Sequence, residues 1–299
     1  MHIGSSCDHH HHEPANFNAA FAVGIALNAS FVILELGAGF YARSLALVAD
    51  AGHNLGDVLG LAMSWTAAVL AVRPATYRRT YGFRRSTILA ALANSLLLMV
   101  IVGGIGWESI ERLDRPVSVQ GSVVMITAFA GILINGGTAL MFLRGRNDDL
   151  NVRAAYLHML TDALVAMGVV VTGFAIRLTG LSWLDGAAGF GIAALIGIGT
   201  WKMLRTSIDL ALDAVPSDID PKEVRSYLEA LPGVDLVADL HIWGMSTTET
   251  ALTAHLVVPE PWPDERLHEV SHELSHRFGI DHSTIQMEKD HGAGCPLAL

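Results

Sequence analysis

The sequence predicts a polytopic α-helical membrane protein with six transmembrane helices, followed by a C-terminal cytoplasmic α+β domain. Three observations support this fold class. Of 299 residues, 52% are hydrophobic and 16% charged, and the mean hydropathy is +0.42, which is too apolar for an ordinary soluble protein. Long apolar segments recur up to residue 203. Residues 1–203 hold thirteen basic and twelve acidic residues, net +1, whereas residues 204–299 hold six and seventeen, net −11.

These changes in composition predict three regions. Residues 1–16 form a His-rich cytoplasmic tail, residues 17–203 the six-helix transmembrane domain, and residues 204–299 the acidic domain. The tail contains Cys7 and a run of four histidines that begins at His9. We interpret that run as a native metal-collecting segment rather than an engineered tag, which usually has six histidines. Cys7 and Cys295 lie at opposite ends, so they are either soft metal ligands or two unrelated thiols.

Six apolar segments are expected to cross the membrane, and the loops between them indicate their direction. The segments are residues 17–41, 45–68, 88–107, 121–143, 154–176 and 184–201. Ten basic residues lie in the loops after the second and fourth segments and after the sixth, against four on the opposite side. Because cytoplasmic loops are enriched in Lys and Arg, both termini are assigned to the cytoplasm and the protein to the cell (inner) membrane.

Two of these segments carry the same pair of polar residues. His53 and Asp57 in the second segment, and His158 and Asp162 in the fifth, are each four residues apart and share a helix face. No other histidine occurs between residues 14 and 203. A charge at mid-bilayer costs roughly 2.5 to 3.5 kcal/mol on the gentlest scale and needs compensation.

Two imidazoles and two carboxylates suit a tetrahedral divalent-metal site of the zinc type. For either pair alone, a buried hydrogen-bonded group is an equal alternative, but the repetition favours metal binding. Asp50 precedes the first pair and is not repeated in the fifth segment. We interpret it as a residue that supports the ligands or begins the helix.

The sequence pattern of the acidic region predicts a small two-layer module with the order α-β-β-α-β. Two strands that alternate apolar and polar residues are joined by a short turn, and the helices have amphipathic patterns. Candidate cytoplasmic metal ligands lie on or at the ends of three strands: His241, His255, His282 and Glu288. Weaker candidates are Cys7, His9, His268 and Cys295. His268 belongs to a histidine stripe that is more typical of a solvated helix face.

With these residues identified, the sequence resembles the cation diffusion facilitator family of zinc transporters over nearly its whole length. The matching segments occur in family order: SLALVADAGHNLGDVL, YGFRRSTILAAL, the HxxxD of the fifth span, LHIW and LTAHLVV. The resemblance implies a homodimer that exports cytoplasmic zinc against proton entry through His53, Asp57, His158 and Asp162. It also implies a ferredoxin-like, metallochaperone-like C-terminal domain that binds zinc and dimerises.

Two positions depart from the family pattern. Thr87 stands where relatives commonly have Glu, and Ala238 where relatives with a cytoplasmic metal site often have His. The first departure predicts that a charged contact from that loop is lost. The second predicts a cytoplasmic site that is incomplete or built differently.

The leading functional hypothesis is therefore a secondary transporter and not an enzyme. Metal and protons compete for the same four side chains, which couples metal export to proton entry. The alternatives are a membrane-bound metal sensor and an intramembrane metalloenzyme, although no membrane span carries the HExxH motif of the latter. The expected partners are a divalent cation, membrane lipid and a second copy of the chain. Nucleic acid is not expected, because the five arginines between residues 73 and 85 lie between two spans.

Overall fold

The computed structural model describes residues 19–143 and 150–290. Six long helices come first: α1 Ala19–Ala42, α2 Leu45–Ala71, α3 Ser86–Asp114, α4 Gly121–Phe142, α5 Leu150–Thr179 and α6 Trp183–Ala211. The α+β elements follow: α7 Pro221–Glu229, β1 Leu236–Gly244, β2 Thr250–Val257, α8 Asp264–Phe278 and β3 His282–Glu288. The predicted order of elements is confirmed.

The long helices have the composition of membrane spans. Helices α2 to α6 each contain a stretch long and apolar enough to cross a membrane, and α1 contributes a shorter apolar stretch, Ala29–Ala42. Large apolar side chains point outward, for example Ile33, Val100 and Ile198, which are 74%, 73% and 74% exposed. Surfaces this apolar are suited to lipid. The predicted fold class, a multi-pass membrane protein with an α+β domain, is confirmed.

Two helices run further than their predicted spans. Helix α3 continues from Trp107 to Asp114, and α6 continues from Trp201 to Ala211. Neither extension contains a Pro or Gly that would end the helix. The proposed boundary at residue 204 therefore falls inside α6, and the division into three regions remains a prediction.

Packing divides the chain into two compact units, which we describe separately. Unit 1, residues 1–55 and 109–189, contains α1, the start of α2, the end of α3, α4, α5 and the start of α6. Within it, α4 packs along α5 and against α1. The α4–α5 contact is close, because a Cβ on Gly121 would lie 2.6 Å from the carbonyl oxygen of Gly173. A side chain at either position would push the two helices apart.

Unit 2, residues 56–108 and 190–299, contains the rest of α2, most of α3, most of α6 and the α+β domain. The sheet has the order β1-β2-β3, with β1 and β2 antiparallel and β2 and β3 parallel. Helices α7 and α8 bury Leu228 and Leu274 against Leu252 and Leu256 of β2. Each helix and strand has one apolar face, and these faces are buried against one another. Residues that are far apart in sequence therefore share one core.

Strand β1 contains a β-bulge. Val237 pairs with Leu256 and Asp239 pairs with His255, so Ala238 is an extra residue without a partner of its own on β2. Because of this extra residue, the apolar residues before and after the bulge stay on the core side. Asp239 and the residues in register with it lie on the opposite, polar face of the sheet.

Candidate metal site

Three titratable side chains of unit 1 converge within the apolar helices. They are His53 on α2 and His158 and Asp162 on α5. One ligand atom from each lies within 4.8 Å of the others. The Asp162 carboxylate lies between the imidazoles: Oδ1 is 3.6 Å from His53 Nε2, and Oδ2 is 3.7 Å from His158 Nε2. The repeated spacing in sequence therefore corresponds to a cluster in space.

The distances in this cluster fit a small divalent cation. In a tetrahedral zinc site with metal–ligand bonds of about 2.0–2.1 Å, two ligand atoms stand about 3.3 Å apart. The separations of 3.6 and 3.7 Å are within a few tenths of an ångström of that value. The Asp162 side chain is 2% exposed, whereas those of His53 and His158 are 23% and 41% exposed. The cluster thus has a buried anionic side and an accessible imidazole side.

Asp57 and Asp50 lie on either side of His53 along α2. Asp57 is outside the three-residue cluster but follows His53 by one turn on the same face and is partly buried. Asp50 is 2% exposed, and its carboxyl group lies within hydrogen-bonding reach of Glu35 on α1. The Asn54 side-chain amide donates to Glu35 Oε2 at 3.2 Å. Residues next to His53 are therefore tied to α1, and the supporting role of Asp50 remains a prediction.

A second polar contact fixes the start of α2, and the sequence analysis did not identify it. Asp185, in the first turn of α6, is completely buried. Its carboxylate accepts hydrogen bonds from the Ser44 hydroxyl and the Leu45 N–H, both at 2.5 Å. It thus binds an N–H group that the first turn of a helix leaves unpaired. Arg112 stands 3.8 Å from the same carboxylate.

Asp185 matters to the site because α2 is one continuous helix from Leu45 to His53 and beyond. Eight residues of helix separate those two positions, a distance of about 12 Å along the axis. A contact that fixes the first turn of α2 therefore also fixes the position of His53 along the helix axis. An acidic residue inside an apolar span is the signal that could have pointed to Asp185.

The candidate ligands of the α+β domain form two pairs on the polar face of the sheet. His255 Nε2 lies 3.1 Å from Glu288 Oε1, and His241 Nε2 lies 3.1 Å from Asp239 Oδ2. Asp239 is directly opposite His255 in the β1–β2 register. The sequence analysis missed Asp239, although it lies two residues before His241 in a strand and so shares its face. Each pair offers two ligands, fewer than a closed metal site needs.

The structure does not bring His282 to these pairs. His282 is opposite Ala251, four residues along β2 from His255, a distance of about 13 Å. Its ring instead meets the Tyr81 ring edge to face, with centroids 6.1 Å apart. His268 is exposed on α8. Three further candidates, Cys7, His9 and Cys295, lie outside the described residues. Within residues 19–143 and 150–290, the His53 cluster is the one group of three or more potential ligands.

Comparisons with known proteins show which family the chain belongs to. The cation efflux transmembrane domain matches residues 21–210, and the cytoplasmic domain of cation efflux proteins matches residues 216–290. The metal cation efflux system protein CzcD of Cupriavidus metallidurans is 37% identical over 94% of this chain and 89% of its own length. The zinc transporter ZitB of Escherichia coli is 36% identical over 96% of this chain and 93% of its own.

A third relative, the cadmium, cobalt and zinc/H(+)-K(+) antiporter of Bacillus subtilis, is 32% identical over 94% of this chain and 92% of its own length. Both family models match, and the relatives are covered almost from end to end. These matches indicate a membrane transporter rather than an enzyme. The resemblance seen in the sequence is thereby confirmed, and the chain belongs to the cation efflux, or cation diffusion facilitator, family.

Proposed function

We propose that this protein exports divalent cations, zinc in particular, from the cytoplasm in exchange for protons. The transport site would consist of His53, Asp57, His158 and Asp162. The observation that carries the proposal is the convergence of two imidazoles and a buried carboxylate within apolar helices. Such groups are rare inside a membrane and mark ion pathways when they meet. Asp57, one turn from His53, would supply the fourth ligand.

The chemistry of these ligands supports exchange with protons. Zinc binds neutral imidazoles and ionised carboxylates, so a proton on any ligand opposes metal binding. Metal released on one side of the membrane leaves a site that accepts protons there, and protons released on the other side leave a site that accepts metal. Four protein ligands also close a tetrahedral zinc site, whereas a zinc hydrolase keeps one position open for water.

Flux into sealed vesicles tests the proposal directly. The protein is reconstituted into proteoliposomes that contain a zinc-sensitive dye, and zinc is added outside with or without an acidic interior. We expect zinc uptake to be accelerated by the acidic interior, because protons leave as zinc enters. The same assay with cadmium, cobalt and iron ranks the substrates. Zinc binding without entry would instead favour the metal-sensor alternative, and entry unaffected by the gradient would exclude proton exchange.

The proposal also assigns an orientation and an assembly. The excess of basic residues in the loops after α2 and α4 supports cytoplasmic termini in a bacterial inner membrane. The description of the C-terminal family model as a cytoplasmic domain agrees with that assignment. Homodimerisation through this domain follows from the family resemblance. Chemical cross-linking of the full chain in membranes measures it.

Substitution of His53 by Asp is predicted to weaken discrimination between zinc and cadmium. A carboxylate in place of an imidazole relaxes the compact tetrahedral preference and admits a larger ion. We expect the zinc-to-cadmium ratio of initial transport rates to fall severalfold. The matched control is Met63→Leu, elsewhere on α2, for which the ratio should not change. An unchanged ratio in His53→Asp would show that His53 does not set selectivity.

Zinc is predicted to stabilise the acidic domain through His255. Two copies of residues 204–299, each with net charge −11, repel each other, and a bound divalent cation reduces that repulsion. The domain has its own apolar core, so residues 204–299 can be melted alone. We expect zinc to raise the melting temperature by several degrees in the parent but not in His255→Ala.

His282→Ala is the matched control for this experiment, because His282 lies apart from the His255–Glu288 pair. It should retain the zinc-induced rise. If zinc leaves the parent domain's melting temperature unchanged, the domain is a constitutive dimerisation module and its histidines have no regulatory role.

A further inference from the structure

The loop between α2 and α3, residues 72–85, carries positive charge that the metal site does not use. We call this segment the arginine loop. Two of its arginines are neutralised: Arg84 Nη1 donates to Glu249 Oε2 at 2.9 Å, and Arg85 pairs with Asp213. Three others, Arg73, Arg78 and Arg79, have no acidic partner in the described part of the chain. The loop thus keeps three uncompensated positive charges.

Part of this charge lines a cavity within unit 2. The cavity has a volume of about 390 Å³ and is lined by four of the five arginines, together with Tyr81 of the loop and Trp243 of β1. The volume is within the range of small-ligand sites. The Arg79 guanidinium lies 4.5 Å from the centre of the Phe83 ring, which holds it without neutralising it. Guanidinium groups bind phosphate oxygens in a two-pronged geometry, so the cavity is suited to a phosphate-bearing anion.

The position of the loop indicates where that phosphate comes from. Helix α2 ends at Ala71 and α3 begins at Ser86, so both ends of the loop enter apolar, span-length helices. Tyr77 is fully exposed and Tyr81 is 55% exposed, and Tyr is enriched where proteins meet the membrane surface. A phosphate that is part of a lipid is therefore available at the cavity at a far higher local concentration than free phosphate.

We propose that this cavity binds the headgroup of an anionic phospholipid, with Arg78 and Arg79 as its main cationic contacts. Because the cavity has walls from both the loop and β1, a bound headgroup would join the two. A hydrogen bond already joins the start of α3 to the turn after β1, since the Thr247 N–H donates to Thr87 Oγ1 at 3.1 Å. Both groups in this bond are uncharged, so the contact adds no negative charge.

Lipid binding to the purified full chain tests this proposal. Native mass spectrometry in neutral detergent measures the affinity for dioctanoyl phosphatidylglycerol, for dioctanoyl phosphatidylcholine and for inorganic phosphate. The variants are Arg78→Gln and the double variant Arg78→Gln/Arg79→Gln. Arg78 makes no described contact, so its substitution should not disturb folding. The matched control, Lys222→Gln/Lys289→Gln, removes two exposed positive charges of the same unit that do not line the cavity.

We expect phosphatidylglycerol to bind most tightly and to lose about fivefold in affinity for each arginine removed, as is typical of a basic residue near anionic lipid. The lysine control should bind as the parent does. Equal binding of phosphatidylcholine, or unchanged binding in the arginine double variant, would overturn the proposal. If inorganic phosphate binds as tightly as phosphatidylglycerol and depends equally on Arg78, the lipid proposal is overturned. The ligand of the cavity would then be a free anion.

Discussion

Substitution of Asp162 by Ala is expected to abolish metal transport while the protein stays folded. Asp162 supplies the carboxylate that faces both imidazoles, with oxygen–nitrogen distances of 3.6 and 3.7 Å. Loss of a residue that only supports a ligand lowers metal affinity by about 10- to 100-fold, so loss of the ligand itself should lower transport by more than about 100-fold. The measurement is initial zinc flux into proteoliposomes, normalised to reconstituted protein.

The fold should survive because a buried carboxylate opposes folding unless it is compensated. Removing its charge from among apolar helices therefore need not lower the free energy of unfolding. Thr161→Ala is the matched control: Thr161 is the adjacent residue on α5, is exposed and bonds only to the Leu157 carbonyl of its own helix. It should transport at the parent rate. Full zinc flux in Asp162→Ala would remove Asp162 from the transport site.

The second large effect is expected at Asp185. Asp185→Ala removes the acceptor for the Ser44 hydroxyl and the Leu45 N–H and leaves both groups buried. A hydrogen bond to a charged group contributes about 1.5–3 kcal/mol, and an unpaired buried donor costs about 1–3 kcal/mol. We expect the free energy of unfolding to fall by about 3 kcal/mol, measured by denaturant titration in detergent.

Zinc flux in folded Asp185→Ala should also fall, because the start of the helix that carries His53 is no longer fixed. Asp185→Asn keeps one carbonyl acceptor and should show an intermediate loss of stability. Asp114→Ala, which removes an exposed carboxylate at the end of α3, is the control and should match the parent in both measurements. Parent-like stability of Asp185→Ala would mean that this contact does not hold α2.

The elements and the core of the metal cluster could be predicted from sequence for a simple physical reason. Membrane helices are long and apolar, and residues four apart on a helix share one face whatever the helix packs against. His53 and Asp162 therefore come together once the two helices that carry them are neighbours. Helix ends could not be placed equally well, because α6 continues past the apolar stretch to Ala211 and hydropathy alone does not detect that extension.

Other features depend on pairings that no local pattern encodes. Asp185 lies 140 residues from Leu45 in sequence, and nothing near either residue indicates that they bond. In the sheet, alternation indicates which face a side chain is on but not its position along the strand. That is why His282 could be grouped with His255 from sequence, although the register places them about 13 Å apart.

The bulge at Ala238 has a consequence for which changes in chain length the protein tolerates. The extra residue lets Val237 and Ile242 both face the core although they are five positions apart. Deleting Ala238 would leave them four positions apart, so a regular strand would keep both on the core side, and the pairs Val237–Leu256 and Asp239–His255 would become consecutive. Inserting a further residue into the regular part of β1 would instead turn one side of the strand over and expose its apolar residues. Residue 238 is therefore a position at which β1 can lose one residue and keep every other side chain on its own face.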